Sequence, residues 1–394
     1  MSKYQYICKI GLLYHGYHSP NLGLDALSTA HVMLLEDICN HMKIKPIFLN
    51  FYSMENEKVE GEYKSEFLNI PNRKNLNMIM QFRKCDLVLD ISSGDSFTDI
   101  YGLRRSLSMI VSKILLVISG VPFILSPQTI GPFNHKSIKF LAKFILSKSK
   151  QIFIRDQLSI NEIPIKLREK TIITTDIAFT LPFEQRKYSD GSRLSIALNV
   201  SGLLYNGGYS KRSMFDLGYN YKLLIDQLIA TLLREQVDLC LVPHVIVSDN
   251  PIEDDFRVCE TLARTDPRIR MAPTFRNAIE AKSFISEFDV FIGSRMHASI
   301  ASFSAGIPTF PISYSRKFKG LYSNLGYEYV LDASSKSEEQ VIHTLIEWIN
   351  HRAEIKTQVL KSNELAKSMI QIYKKSLSSI IVEIMRDKIT GRGV

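Results

Sequence analysis

Cysteine is scarce and scattered: Cys8, Cys39, Cys85, Cys240 and Cys259 are the five in 394 residues, and none forms a C-x-x-C pair. Such an odd, dispersed set supports neither a disulfide framework nor a zinc site, and it points to a reducing compartment such as the cytoplasm. Cys85 and Cys240 border apolar runs and read as small core residues. Long basic blocks are missing too. The 49 Lys and Arg are spread among 40 Asp and Glu, leaving a net charge of +9, and without a basic stripe no nucleic-acid partner is expected. The surplus has two readings, a mildly basic surface or a face toward anionic substrates or an anionic membrane. No uninterrupted apolar run reaches the ~18 residues of a spanning helix. The most apolar region, 106–133, is broken by Lys113, Gly120 and Pro122. The first residues carry Lys9 inside a short apolar stretch that turns polar, so no signal peptide is expected. The G-x-S-x-G, G-x-x-x-x-G-K-[ST] and H-E-x-x-H patterns are absent as well.

The composition is otherwise that of a globular chain, 45% hydrophobic and 23% charged, with length for two domains. Apolar periodicity predicts strands at 8–14, 45–51, 86–91, 122–125, 151–154 and 171–174, separated by helices near 25–42, 76–83, 103–118 and 136–148. Residues 53–66 read as a polar surface loop. The polar stretch 184–193 reads as a linker, after which the pattern restarts. Strands are expected at 194–200, 238–242, 269–271, 289–292 and 308–312, with helices at 221–234, 254–265, 278–287 and 295–305, then helices over 337–386. Alternating strands and helices argue for mainly parallel sheets covered on both faces. The expected domains are 1–185 and 192–335, with C-terminal helices over 336–394 for which a return to the first half is one expected course.

The richest chemistry lies at 293–317. The apolar run 290–292 empties into Gly293-Ser294-Arg295-Met296-His297, and the strand 308–312 is followed by Ser315-Arg316-Lys317. Ligands of open α/β sheets bind at such strand ends. A tight turn into a helix start attracts anions, Arg295 adds a fork suited to phosphate or carboxylate, and His297 brings an imidazole, the side chain most often used for general acid–base work. Three cations beside one imidazole suit a doubly anionic ligand and a proton transfer. For each residue a plainer reading stands beside this one: a packed imidazole for His297, a surface ion pair for Arg295, a solvated turn for Arg316 and Lys317.

Other strand ends carry further candidates. Arg155 and Asp156 follow the strand at 151–154 and read either as a site arginine or as a neighbouring ion pair. Pro127, Gly131 and Pro132 form a rigid loop that presents Gln128. Asn21, Gly23 and Asp25 stand where the first loop enters a helix, with an N-cap as the plain reading of Asp25. Gly94 and Asp95 resemble a phosphate-cradling turn. Asp176 and His244 are polar groups at strand ends, and Ser294 opens the main turn. Tyr205, Tyr209, Phe215 and Tyr219 stand among small polar residues, a setting for sugar contacts or for an interdomain loop. His15, His18 and Asp25 match no familiar metal spacing, and no metal is expected.

Taken in order, SPQTIGPF (126–133), FIRDQLS (153–159), TTDIAF (174–179) and SRMHASIASFSAGIPTFPISYSRKFKGL (294–321) resemble the polysaccharide pyruvyl transferase family over roughly residues 10–330. Two places depart from its pattern: Asn21-Leu-Gly-Leu-Asp25 has one residue more between Gly and Asp, and Ser92-Ser93-Gly94-Asp95 stands where a Gly-Gly pair is common. The resemblance implies a GT-B-like fold, two Rossmann-like doubly wound domains with the active site in the cleft between them. It implies transfer of the pyruvyl group of phosphoenolpyruvate to two hydroxyls of a glycan sugar, free or lipid-linked, as a cyclic ketal with release of phosphate, and no cofactor beyond that donor. His297, Arg295 and Arg155 are then the catalytic set, with Lys317, Arg316, Gln128, Asn21, Asp25, Gly94, Asp95, His244 and Ser294 as substrate-binding candidates. A lipid-linked acceptor would bring a cytoplasmic enzyme to the inner face of a membrane. Two other readings of the same residues are a nucleotide-sugar glycosyltransferase and a non-catalytic assembly protein of a glycan pathway.

Overall fold

A computed structural model describes residues 4–51, 66–69, 75–186, 193–208, 220–313, 316–333 and 336–391. The chain divides into two compact units, Met1–Tyr17 with Leu27–Ile177 and Lys367–Val394, and His18–Ala26 with Ala178–Ala366.

The first unit is built on seven strands: β1 Tyr6–Leu13, β2 Ile44–Asn50, β3 Glu66–Asn69, β4 Leu87–Asp90, β5 Phe123–Gln128, β6 Gln151–Ile154 and β7 Thr171–Ile173. Their order is β3-β2-β1-β4-β5-β6-β7, and every pair is parallel. Helices α1 Leu22–His41, α2 Asn75–Phe82, α3 Leu103–Ser119 and α4 Lys136–Lys148 supply the crossovers. The strands read as short apolar runs because they are covered on both faces. Leu87, Leu89, Leu125, Ile152 and Ile154 are fully buried, each contributing roughly 1.5–3 kcal/mol by leaving water. Ile110 and Leu116 of α3 and Ile138, Ala142, Ile145 and Leu146 of α4 close over one face. α3 stops at Gly120, whose φ of 77° is the left-handed conformation of a helix end.

The second unit repeats the plan with six strands: β8 Ser195–Asn199, β9 Asp238–Leu241, β10 Arg270–Met271, β11 Val290–Gly293, β12 Thr309–Ser313 and β13 Leu331–Asp332. Their order is β10-β9-β8-β11-β12-β13, again all parallel. The helices are α5 Gly202–Tyr205, α6 Tyr221–Arg234, α7 Asp255–Ala263, α8 Ala278–Ile285, α9 Met296–Ser304, α10 Arg316–Asn324 and α11 Glu338–Asn350. Ser337 and Gln340 form a reciprocal capping box at the start of α11. The last helix, α12 Arg352–Ile389, begins in the second unit and contributes its residues from Lys367 onward to the first. In the first unit Tyr373 of α12 packs edge-on against Phe153, and Lys374 pairs with Asp37.

The strand order reverses between β1 and β4 in the first sheet and between β8 and β11 in the second. At such a switch point adjacent loops diverge and leave a crevice at the carboxyl ends of the strands. Several elements differ from the sequence reading. Residues 66–69 form an edge strand at the end of the stretch read as loop, and Leu203–Tyr205 lie in the single turn of α5. Short 3-10 helices occupy Gln157–Glu162, Ile165–Lys170 and Ile177–Thr180. Each is too short to carry a periodic signal. Of the linker, Glu184 and Arg186 donate backbone N–H to the hydroxyls of Ser283 in α8 and of Ser286 just after it, and residues 187–192 lie outside the described residues.

Candidate active site

In the second unit the polar groups gather at the switch point. Asn199, ending β8, accepts the Arg295 N–H on Oδ1 at 2.9 Å and donates Nδ2–H to the Val242 carbonyl after β9 at 2.9 Å. One buried amide thus ties the loops of β9 and β11 together. Asp255, at the start of α7 and fully buried, does more. Its carboxylate accepts N–H groups from Gly202, His244 and Val245 and takes the Arg295 guanidinium through Nε and Nη2, the latter at 2.7 Å. Arg295 Nη2 also donates to the Glu253 carbonyl. The plain reading of Arg295 as a surface ion pair therefore gives way to a largely buried pair with fixed geometry, the kind that orients a guanidinium. Ser294 is fully buried and accepts the Tyr221 hydroxyl at 2.8 Å.

His297 sits in the first turn of α9, half-buried. The stretch around Asn21 lies in the same unit. Asn21 bridges Val245 antiparallel, Leu22 donates its N–H to the His244 carbonyl, and Gly23 faces His297. Asn21 is the N-cap of α1, its Oδ1 accepting Gly23 N–H at 3.0 Å. Asp25 is not that cap. It is buried, and its two oxygens accept the N–H of His18 and of Ala278 at the start of α8, each at 2.8 Å.

His244 follows β9 and is only 2% exposed, yet among the described residues neither ring nitrogen has a hydrogen-bond partner. Burial, then the charges of His297 and Arg295, push its pKa down to about 3, so it is a neutral imidazole. A buried group left this way is costly unless it serves a site.

The first unit presents a separate set. Arg155, after β6, is 1% exposed. It pairs with Asp176 through Nη1 and donates Nε–H to Thr129 Oγ1 at 3.0 Å. Its neighbour Asp156 is not its partner, since that carboxylate caps the Gln157–Glu162 turn through Ser159. Gln128 is fully buried. Its Nε2 donates to the Asp90 carbonyl at 2.8 Å, while its Oε1 has no partner among the described residues. Ser92, Ser93 and Gly94 all have positive φ, 45°, 50° and 89°. The two serines thus hold a conformation that glycine adopts more readily. A side chain at Gly94 would meet Arg155 Nη1 at 3.1 Å, so this glycine admits the guanidinium. The Asp95 carboxylate accepts the Tyr101 hydroxyl at 2.7 Å. Beneath the turn, Lys113 is completely buried, ion-paired with Asp90 and donating to Ser92 Oγ at 2.8 Å. The rings of Tyr14 and Phe97 flank its ammonium at 5.0 and 4.8 Å. Burial lowers the Lys113 pKa and Asp90 opposes that shift.

Among the sequence candidates, Asn21, His244, Ser294, Arg295 and His297 come together in the second unit. Gln128, Gly94 and Arg155 come together in the first. The side chains of Arg316 and Lys317 lie outside the described residues, as do Tyr209, Phe215 and Tyr219; Tyr205 donates its hydroxyl to Asp226. Sequence reasoning missed Asp255, Asn199, Asp90 and Lys113 as the groups that orient the others. A lysine inside the apolar run 106–133 was the available signal, because a charge there demands a buried counterion. Among the described residues no cluster of His, Cys, Asp and Glu has the arrangement of a metal site, and no helix is long and apolar enough to cross a membrane. A groove of about 790 Å³ lined by Gln227, Arg234, Asp266, Arg268 and His343 lies at the opposite ends of the strands, where α6 runs out before β9.

The family model described as polysaccharide pyruvyl transferase matches residues 21–316. A curated relative, the amylovoran biosynthesis protein AmsJ of Erwinia amylovora, is 23% identical over 312 residues, covering 72% of this chain and 70% of that protein. Solved structures resemble the fold. A putative UDP-N-acetylglucosamine 2-epimerase from Listeria monocytogenes superposes with a TM-score of 0.58 at 10% identity, covering 95% of this chain and 97% of that one. A sucrose-phosphate synthase from Thermosynechococcus elongatus gives 0.57 at 11% identity, covering 98% and 100%. The fold is therefore of the GT-B type, with two Rossmann-like domains.

Proposed function

Because this chain belongs to the polysaccharide pyruvyl transferase family, we propose that it transfers the pyruvyl group of phosphoenolpyruvate to two hydroxyls of a glycan sugar, forming a cyclic ketal and releasing phosphate. The observation that carries this reading is the cluster at the switch point of the second sheet. There Arg295, fixed by Asp255, stands with the imidazoles of His297 and His244. A fixed guanidinium suits the phosphate or carboxylate of the donor, and an imidazole suits the proton transfer that an enol ester needs.

In the proposed sequence His297 delivers a proton to the methylene carbon, turning it into a methyl group. The electron pair of the double bond forms the new C–H bond and leaves the adjacent carbon oxocarbenium-like. The first sugar hydroxyl attacks that carbon and gives its proton to the imidazole. The C–O bond to phosphate then breaks, the phosphate leaving with the bonding pair, and the second hydroxyl closes the ketal as its proton passes to the released phosphate. Arg295 is assigned to an anionic group of the donor, and Lys317 to the departing phosphate. His244, neutral and without a hydrogen-bond partner among the described residues, is assigned to a substrate hydroxyl or carboxylate. The scheme has no metal step. A lipid-linked acceptor would place the reaction at the inner face of a membrane.

The test is phosphate release from phosphoenolpyruvate across a panel of free and lipid-linked glycans, with mass spectrometry of the products. The expected product gains one pyruvate less one water, and His297→Gln abolishes turnover while the fold persists. Near-wild-type phosphate release by His297→Gln would overturn the assignment. Tight, saturable nucleotide-sugar binding with none of phosphoenolpyruvate would indicate a glycosyltransferase instead.

A further inference from the structure

Helices α3 and α4 of the first unit pack side by side, and both bury one face in the same core. Their other faces therefore look the same way, outward from the sheet. On α3 that face is apolar where water is expected. Leu103, Leu107, Val111 and Ile118 recur at helical spacing and are all exposed, Ile118 at 55%. On α4 the outward positions include Phe140, 72% exposed, and Phe144 one turn later. Lys136, Lys143 and Lys148 share the exposed face with the two phenylalanines, and the Lys148 ammonium stands 5.8 Å from the Phe144 ring. Arg104 is exposed beside the α3 stripe. Neither helix contains a single Asp or Glu.

A solvated helix face normally carries charges of both signs, and exposed apolar residues normally occur singly. A face that combines repeated large apolar side chains with uncompensated lysines matches an anionic bilayer: the apolar groups enter the acyl boundary while the lysines stay among the headgroups. A protein partner fits less well, since lysine is depleted from protein interfaces. We propose that the α3–α4 face docks this protein on the surface of a membrane containing anionic lipids. The proposal deepens the reading of a lipid-linked acceptor, but binding is measured without turnover, so the two fail independently.

The purified full chain would be floated with vesicles of phosphatidylcholine alone and of phosphatidylcholine mixed with phosphatidylglycerol, at low and high salt. Wild type is expected to float with the anionic vesicles, to be released by salt, and to ignore the neutral ones. Phe140→Ser with Phe144→Ser is expected to weaken binding roughly tenfold or more, with an unchanged melting temperature and unchanged phosphate release from a soluble acceptor. Equal binding by wild type and the double variant would overturn the proposal. So would absence of vesicle binding, and light scattering showing a wild-type dimer that the double variant dissolves would reassign the face to a second copy of the chain.

Discussion

The backbone of Gly23 stands against the imidazole of His297: a side-chain carbon added at residue 23 would lie 2.5 Å from Nδ1 and 2.9 Å from Cγ. The φ of Gly23 is unexceptional, so what excludes a larger residue is space. Inside a helix Gly→Ala ordinarily stabilises, by roughly 0.5–1 kcal/mol at mid-helix positions. Here it must displace the ring. Gly23→Ala is therefore expected to lower kcat on the order of 100-fold without a comparable fall in melting temperature. Phosphate release and a thermal melt on one preparation check this, and full activity would show that the ring position is unimportant.

Asp254 and Asp255 are adjacent acids with different tasks. Asp254 caps α7 by accepting Phe256 N–H, worth about 1 kcal/mol. Asp255 is the buried counterion of Arg295, and removing such a partner costs about 3–5 kcal/mol. Denaturant midpoints of Asp254→Ala and Asp255→Ala should differ accordingly. Equal losses would contradict the role given to Asp255.

In the first unit, Lys113→Met leaves Asp90 buried without its cation. The expected loss is about 3–5 kcal/mol, and Asp90→Leu combined with Lys113→Met should recover part of it. Urea denaturation of the three variants decides the matter: a double variant less stable than Lys113→Met alone would show that the ion pair is not what the lysine supplies.

Acid should destabilise the protein early. Burial pushes His31 and His244 down to about 3 and His15 well below its ordinary value. All three are neutral when folded, while the unfolded chain takes up protons near pH ~6.5. The unfolded state therefore binds more protons between about pH 6.5 and 3. Stability is full above that window and falls through it, by about 1.4 kcal/mol per pH unit for each histidine fully titrated in the unfolded chain. His244→Phe should flatten the dependence by about one proton in urea titrations at a series of pH values. An unchanged slope would mean that this ring is protonated in the native state.

Much of the architecture was legible because parallel strands buried on both faces appear as short apolar runs between amphipathic helices. The spans of α4, β6 and α6 were read to the residue, and Gly293 to His297 was read as a strand end turning into a helix. The edge strand β3 was not, since a four-residue strand beside a polar stretch leaves no pattern. Among the candidate site residues the ones that stood out in the sequence were those whose side chains have distinctive chemistry at strand ends, Arg155, Arg295 and His297. Their supports escaped because a counterion such as Asp255, forty residues before Arg295, becomes a partner only through the fold. Asp25 misled in the same way: its place near a helix start suggested a cap of α1, but its carboxylate reaches the start of α8.

The closing residues of α12 also bear on how the protein is made. His31 of α1 bonds His15 on one side and the Tyr373 hydroxyl on the other, and Tyr373 continues to Ser126. Lys150 meets Glu383, and Asp86 meets Lys388. The unit begun first on the ribosome is thus the last to be completed. Its seven strands emerge long before the helix that satisfies His31, and the nascent sheet must wait, partly unsealed, through synthesis of the whole second unit.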